Sequence, residues 1–210
     1  MTLTAWRPTP RALVGAGLGV LLLVLIVGGA WLWSTAQHER AQGVHAEALA
    51  RAAAVRGSQE PKAGTAAMPL LETALAQAPD AALAAQSAYE LGNLRFDAGA
   101  YPAARAAYEI AVAKATSATI RTLARAGVAA TWEAQRDYAK SIDAYVAALA
   151  GEKPGQFYYE DLLLGLGRSQ ELAGQRDAAI ATYRRLLNEV PKLQRETEVR
   201  GRLASLGVAG

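Results

Sequence analysis

The chain has no cysteine among its 210 residues. Disulfides, thiolate zinc sites, thiol nucleophiles and a lipidated N-terminal cysteine are thereby excluded. Histidine is almost as scarce, with only His38 and His45, two helical turns apart. A helical metal pair wants ligands at i and i+3 or i+4 with others nearby, so both are expected as solvated surface side chains. No glycine-rich phosphate loop, nucleophile elbow or paired-histidine motif occurs, and the familiar routes to catalysis are missing with them. Charge of one sign is lacking too. Of the net +3, Arg7 and Arg11 stand in the first 33 residues without any acid, leaving 20 basic against 19 acidic residues beyond Trp33. A remainder so near neutral carries no electrostatic footprint for nucleic acid. The expectation is a chain that is not an enzyme, with no cofactor, no metal, no nucleic-acid partner and no small-molecule substrate.

What the chain has in plenty is apolar residues, 52% of the total and dominated by alanine, the strongest helix former. Residues 12–33 carry no charge, long enough as a helix to cross a hydrocarbon core of about 30 Å. Trp6, Trp31 and Trp33 stand near its two ends, where indoles favour the headgroup region. Arg7 and Arg11 precede the span unopposed, whereas the far side carries mixed charge in His38, Glu39, Arg40, Glu47 and Arg51. The positive-inside rule then puts residues 1–11 in the cytoplasm and everything after the span on the other side, the periplasm in a bacterium. A cleaved signal peptide is the rival, with Ser34-Thr35-Ala36 as its small residues. Its apolar core is ordinarily only about 7–15 residues, shorter than the run here, which favours an anchor. Gly15 and Gly19 make a spacing that lets membrane helices approach closely, but ordinary tolerance of glycine in such helices is the better account of them.

Residues 34–66 read as a helix leaving the membrane followed by a loop at 57–64, and Met68–Ala78 as a short helix ending before Pro79. Beyond this the sequence repeats itself. From Gly92, the residues Gly99, Tyr101, Ala104, Tyr108 and Ala111 follow at offsets of 7, 9, 12, 16 and 19. The same offsets from Ala129 reach Arg136, Tyr138, Ser141, Tyr145 and Ala148, and from Gly167 they reach Gly174, Arg176, Ala179, Tyr183 and Leu186. The three origins lie 37 and 38 residues apart, a period of stacked supersecondary units. In each unit two helices flank a tight turn, with a small residue where they meet and a tyrosine one turn later filling the space beside it. The helices are expected at Ala82–Ala98, Pro102–Ala115, Thr119–Gln135, Tyr138–Ala150, Phe157–Ala173 and Arg176–Glu189. Gln194–Leu206, with Val199, Leu203 and Leu206 on one side, suits a cap over the exposed end. Glu160-Asp161 open a helix, where carboxylates suit the positive dipole end.

The pattern resembles the tetratricopeptide repeat (TPR). Leu91-Gly92, Gly99, Tyr101, Ala104, Tyr108 and Ala111 match it, as do Leu166-Gly167, Gly174, Ala179, Tyr183 and Pro191. The middle copy replaces its glycines with Ala129 and Arg136 but keeps Trp132 and Tyr138. The family's early tryptophan is missing from all three copies, at Ala88, Arg125 and Leu163, and its period is about 34 residues. A degenerate fourth copy fits at Val55, Ala67, Leu71, Ala74 and Pro79. The fold implied is all-α, a TPR-type α-solenoid of three to four hairpins at 67–191 with a capping helix at 192–210, preceded by one transmembrane helix.

In that family the first helix of each hairpin lines a concave face that selects a protein ligand. Carried over, this face comprises Gln86, Tyr89, Asn93, Phe96 and Asp97, then Leu123, Ala126, Ala130 and Glu133, then Asp161, Leu164, Arg168 and Glu171. Tyr89, Phe96 and Leu123 would form an apolar patch, unless they pack within the array, and Asn93 could bond a peptide backbone. The family's clamp for an acidic C-terminus needs several Lys, Arg and Asn, and here only Asn93 and Arg168 qualify. The layout of one span and a repeat domain is similar to the YfgM-type family of ancillary SecYEG translocon subunits. The function implied is a membrane-anchored interaction scaffold, an accessory subunit bound to a membrane complex or to a periplasmic chaperone or client. Two alternatives stand beside it: a secreted soluble binding protein, and a structural subunit of a respiratory or envelope complex held through Gly15 and Gly19.

Overall fold

The computed structural model describes residues 10–57, 63–190 and 192–208, and side-chain surroundings at 19, 21–55, 66–190 and 192–208. Among these the regular structure is all helical: α1 (Pro10–Gly57), α2 (Ala63–Gln77), α3 (Ala84–Asp97), α4 (Tyr101–Lys114), α5 (Ala118–Ala134), α6 (Tyr138–Leu149), α7 (Tyr159–Leu172), α8 (Arg176–Glu189) and α9 (Glu196–Ser205). From α3 to α8 every helix lies within two residues of its expected bounds at either end. The late start of α7 has a physical cause. Tyr158 sits at its N-cap with φ of 69°, a left-handed conformation that a helix cannot contain. Helix α2 begins five residues earlier than the sequence suggests and runs through Pro69.

Each helix packs on the next in sequence, and α1 also meets α3, α3 meets α5, and α5 meets α7. Helices α1, α3, α5 and α7 therefore form one layer, with the even-numbered ones outside it. Three turns hold the pairs α3–α4, α5–α6 and α7–α8 in the same way. Ala100, Asp137 and Gln175 donate backbone N–H bonds of 2.9, 3.0 and 2.9 Å to the carbonyls of Arg95, Trp132 and Gln170. This closure requires a left-handed residue just before the donor. Gly99 and Gly174 fill that place with φ of 73°, and Arg136 fills it with φ of 62°, so the arginine adopts the conformation that the other two turns assign to glycine.

The small residues Ala104, Ser141 and Ala179 are fully buried, and Tyr108, Tyr145 and Tyr183 beside them are all but buried. The rings rest on glycine. A Cβ on Gly92 would stand 2.5 Å from the Tyr108 ring, one on Gly127 2.8 Å from the same ring, one on Gly165 2.5 Å from Tyr145 and one on Gly167 2.5 Å from Tyr183. Tyr108 is thus wedged between its own hairpin at Gly92 and the following one at Gly127.

Helix α1 joins the same core. Ala48 and Ala52 are buried with Ala67, Leu71 and Ala74 of α2 and Leu91 and Leu94 of α3. His45, expected to be solvated, has no exposure at all. Its Nδ1 is 2.8 Å from the Ser87 hydroxyl and its Nε2 2.9 Å from the Ala78 carbonyl. A carbonyl only accepts, so Nε2 donates to Ala78, and Nδ1 pairs with the Ser87 hydroxyl, which can serve either way. With both nitrogens satisfied, burial carries little penalty. His38 remains exposed. The N-terminal half of α1 differs altogether: Leu21 to Val27 and Trp31 to Trp33 are exposed apolar side chains. One helix near the N-terminus is long and apolar enough to cross a membrane.

Candidate functional site

Along the odd-numbered layer runs a half-open cavity of about 290 Å³. Its walls come from α3 through Tyr89, Asn93 and Phe96, from α5 through Leu123, Ala126, Gly127 and Ala130, and from α7 through Asp161, Leu164, Gly165 and Arg168. Tyr108 and Tyr145 reach in from α4 and α6, Tyr158 from the N-cap of α7 and Arg195 from just before α9. Tyr108 holds α3 and α5 one ring apart through Gly92 and Gly127, and Tyr145 seats against Gly165 of α7.

The expected concave-face residues divide into two sets. Tyr89, Asn93, Phe96, Leu123, Ala126, Ala130, Asp161, Leu164 and Arg168 all line this one cavity. Leu164 does so from the core, being 2% exposed. Gln86 and Asp97 are exposed on α3, outside the cavity lining. Glu133 stands behind the wall, accepting from Arg168 Nε at 2.7 Å, Arg168 Nη2 at 3.2 Å and Ser169 Oγ at 2.9 Å. Glu171 accepts from the Tyr183 hydroxyl at 3.0 Å and from Arg202 Nη1 at 3.2 Å. Gly19 is helical with open space around it, and Gly15 lies outside the residues whose side-chain surroundings are described.

Much of the polar lining is already spoken for. The Tyr108 hydroxyl donates to Asn93 Oδ1 at 2.8 Å, leaving the Asn93 amide hydrogens to donate, one of them toward Glu90 at 3.4 Å. Arg195 bridges Asp161 and Glu160. Burial pushes the phenols of Tyr108 and Tyr145 well above their ordinary value, with Tyr89 adding to the effect on the first and Glu133 on the second. Both therefore remain hydroxyl donors throughout the physiological range. Burial opposes the charge on Arg168, but the bonds to Glu133 outweigh it and hold the guanidinium above its usual value. The cavity is thus aromatic and rich in donors, with each positive charge paired to a carboxylate. That chemistry suits the carbonyls and apolar side chains of a polypeptide better than a highly charged ligand.

Sequence reasoning did not place Tyr108, Tyr145, Tyr158, Gly127, Gly165 or Arg195 on this wall. The two glycines carried a readable signal, since each follows its tyrosine by 19 or 20 residues. Tyr158 and Arg195 carried none, because one depends on a left-handed backbone and the other on a loop that folds back over α7. Among the described residues no group of three or more His, Asp or Glu side chains is placed to hold a metal. No protein-family model matches the chain, and no curated protein matches it either.

Proposed function

We propose that this protein is a membrane-anchored interaction module of the tetratricopeptide-repeat type, in which α3 to α8 form three repeats and the second half of α1 with α2 a degenerate fourth. The reading rests on one observation: of the thirteen side chains carried over from the concave face of the family it resembles, nine line a single cavity. The groove takes a short polypeptide segment of a partner, with Phe96, Tyr89 and Leu123 receiving apolar side chains and Asn93 with the hydroxyls of Tyr89 and Tyr158 bonding its main chain. Helix α1 is the anchor, with Arg7 and Arg11 on the cytoplasmic side and the repeats outside it, in the periplasm if the cell is bacterial. The chain itself performs no catalysis. It acts as an accessory subunit beside a membrane complex, in the manner of the YfgM-type layout it resembles.

The test is a photo-crosslinking amino acid placed at Phe96 and, separately, at Gly19 in intact membranes, with adducts identified by mass spectrometry. A defined protein adduct at Phe96 and only lipid at Gly19 is the expected result. Silence at Phe96 with an integral membrane protein captured at Gly19 refutes the groove reading and makes the chain a subunit held by its anchor. A mature N-terminus at Gln37 refutes the anchor.

A further inference from the structure

The anchor helix does not end where the membrane would. Between Ser34 and His45 the chain holds no proline and a single glycine, Gly43, and α1 continues unbroken into the packed array. From His45 onward it is part of the core: His45, Ala48 and Ala52 are 0%, 2% and 0% exposed. The imidazole of His45 ties three elements together at one point, α1 itself, the hydroxyl of Ser87 on α3 and the carbonyl of Ala78 just past α2. A protein that merely needed tethering could join span and domain through a flexible linker. Here the span, the stalk and the first helix of the array are one continuous helix. At 1.5 Å per residue, Trp33 at the end of the exposed apolar stretch lies about 18 Å below His45 along the axis. Helical twist fixes rotation as tightly as rise fixes height, since each residue turns the array by about 100°.

From this geometry, and resting on the membrane span and groove just proposed, we infer that α1 is a mast that sets the height and azimuth of the groove over the bilayer, and that the groove's occupant is a membrane-proximal segment of an integral membrane protein. Such a partner has its own fixed register with the bilayer. Two rigidly mounted surfaces meet at high effective concentration when their registers agree, and at almost none when the connection cannot span the offset. A freely diffusing client would be indifferent to both parameters.

The experiment inserts alanines into the solvated stalk after Arg40 in the full-length protein and reads the Phe96 adduct in intact membranes. Two alanines rotate the array by about 200° with a lift of about 3 Å, whereas seven restore the azimuth to within about 20° and lift it about 10 Å. Both insertions are expected to cut the adduct by about tenfold or more, as the effective concentration collapses. In detergent, where no bilayer sets a register, both should capture the same partner at wild-type yield. An undiminished adduct from both insertions in membranes overturns the mast and leaves the groove standing. Loss that persists in detergent also overturns it, because register is then not the cause. No adduct from the unmodified chain in either setting removes the groove reading and this inference together.

Discussion

Replacing Gly92 by alanine pits two effects of known sign against each other. Gly92 lies within α3, and in a helix interior alanine is favoured over glycine by about 1 kcal/mol. Propensity alone therefore predicts a more stable protein. The structure predicts the reverse, because the new Cβ would stand 2.5 Å from both Cδ1 and Cε1 of Tyr108. Room for retreat is short, since the same ring is also packed against Gly127, where a Cβ would come within 2.8 Å of it. Either the ring leaves its rotamer or α3 and α4 move apart, and overpacking of this kind costs about 1–3 kcal/mol, occasionally more. The net expectation is a loss of up to about 2 kcal/mol. Gly201→Ala in α9 is the matched control, because a Cβ there meets nothing within 4 Å, and it should stabilise by about 0.5–1 kcal/mol. Urea unfolding of the detergent-solubilised full chain, followed by far-UV circular dichroism, reads both variants. A midpoint for Gly92→Ala that rises alongside Gly201→Ala would refute the wedge.

Four further outcomes follow from single contacts. Arg136→Gly should stabilise by about 1 kcal/mol, since it relieves a side chain held at positive φ, and it should raise the same urea midpoint. His45→Ala opens a cavity and strips Ser87 and the Ala78 carbonyl of their partner, for a loss of about 2–4 kcal/mol; His45→Gln, able to bond at one end, should recover part of the midpoint. Ser169→Ala removes a hydroxyl that joins Glu133 to the buried Ser141 at 2.9 Å on each side and should cost about 1–3 kcal/mol. The Glu189 carboxyl is held below its ordinary 4.5, first by the hydrogen bond from Tyr159 and then by Arg185. Because its folded value is depressed, it stabilises the fold above the unfolded value and loses that contribution as pH falls through the folded one. The stability gap between wild type and Glu189→Gln should therefore be level at neutral pH and narrow below about 4.5.

The helix pairs were legible because their period rests on residues whose size alone decides the packing. A glycine, a small residue and a tyrosine at fixed offsets leave few other ways to bury the ring, and α3 to α8 follow from them. The turn of the middle pair was readable despite Arg136, because its neighbours in register supplied the glycine it lacks. His45 was not legible. Its partners lie 33 and 42 residues away in sequence, and nothing local separates a buried, doubly bonded imidazole from a solvated one on a polar stalk. Arg195 failed for the same reason, as a long side chain in a connection whose path depends on where α8 ends. Gln86 and Asp97 illustrate a different limit. The repeat register assigns them to the first helix of a pair, but a helix shows the cavity only part of its circumference, and these two fall on exposed ground beside it.

The rings that hold the array together are also the walls of its cavity. Tyr108 seats on Gly92 and Gly127 and faces the groove, and Tyr145 seats on Gly165 and faces it too. The spacing of α3, α5 and α7 thus sets both the stability of the stack and the width of the groove. Substitutions at these tyrosines cannot separate the two. Phe96 and Leu123 are better probes, since neither props one hairpin against the next through a glycine seat. The coupling also gives a ligand test that requires no substitution. A segment that binds only the folded array must stabilise it by mass action, by about 2.7 kcal/mol at a hundredfold excess over its dissociation constant. A polypeptide captured at Phe96 should therefore raise the urea midpoint when supplied as a synthetic peptide. One that leaves the midpoint unmoved at that excess either does not bind the folded array or binds the unfolded chain equally well, and the groove reading fails with it.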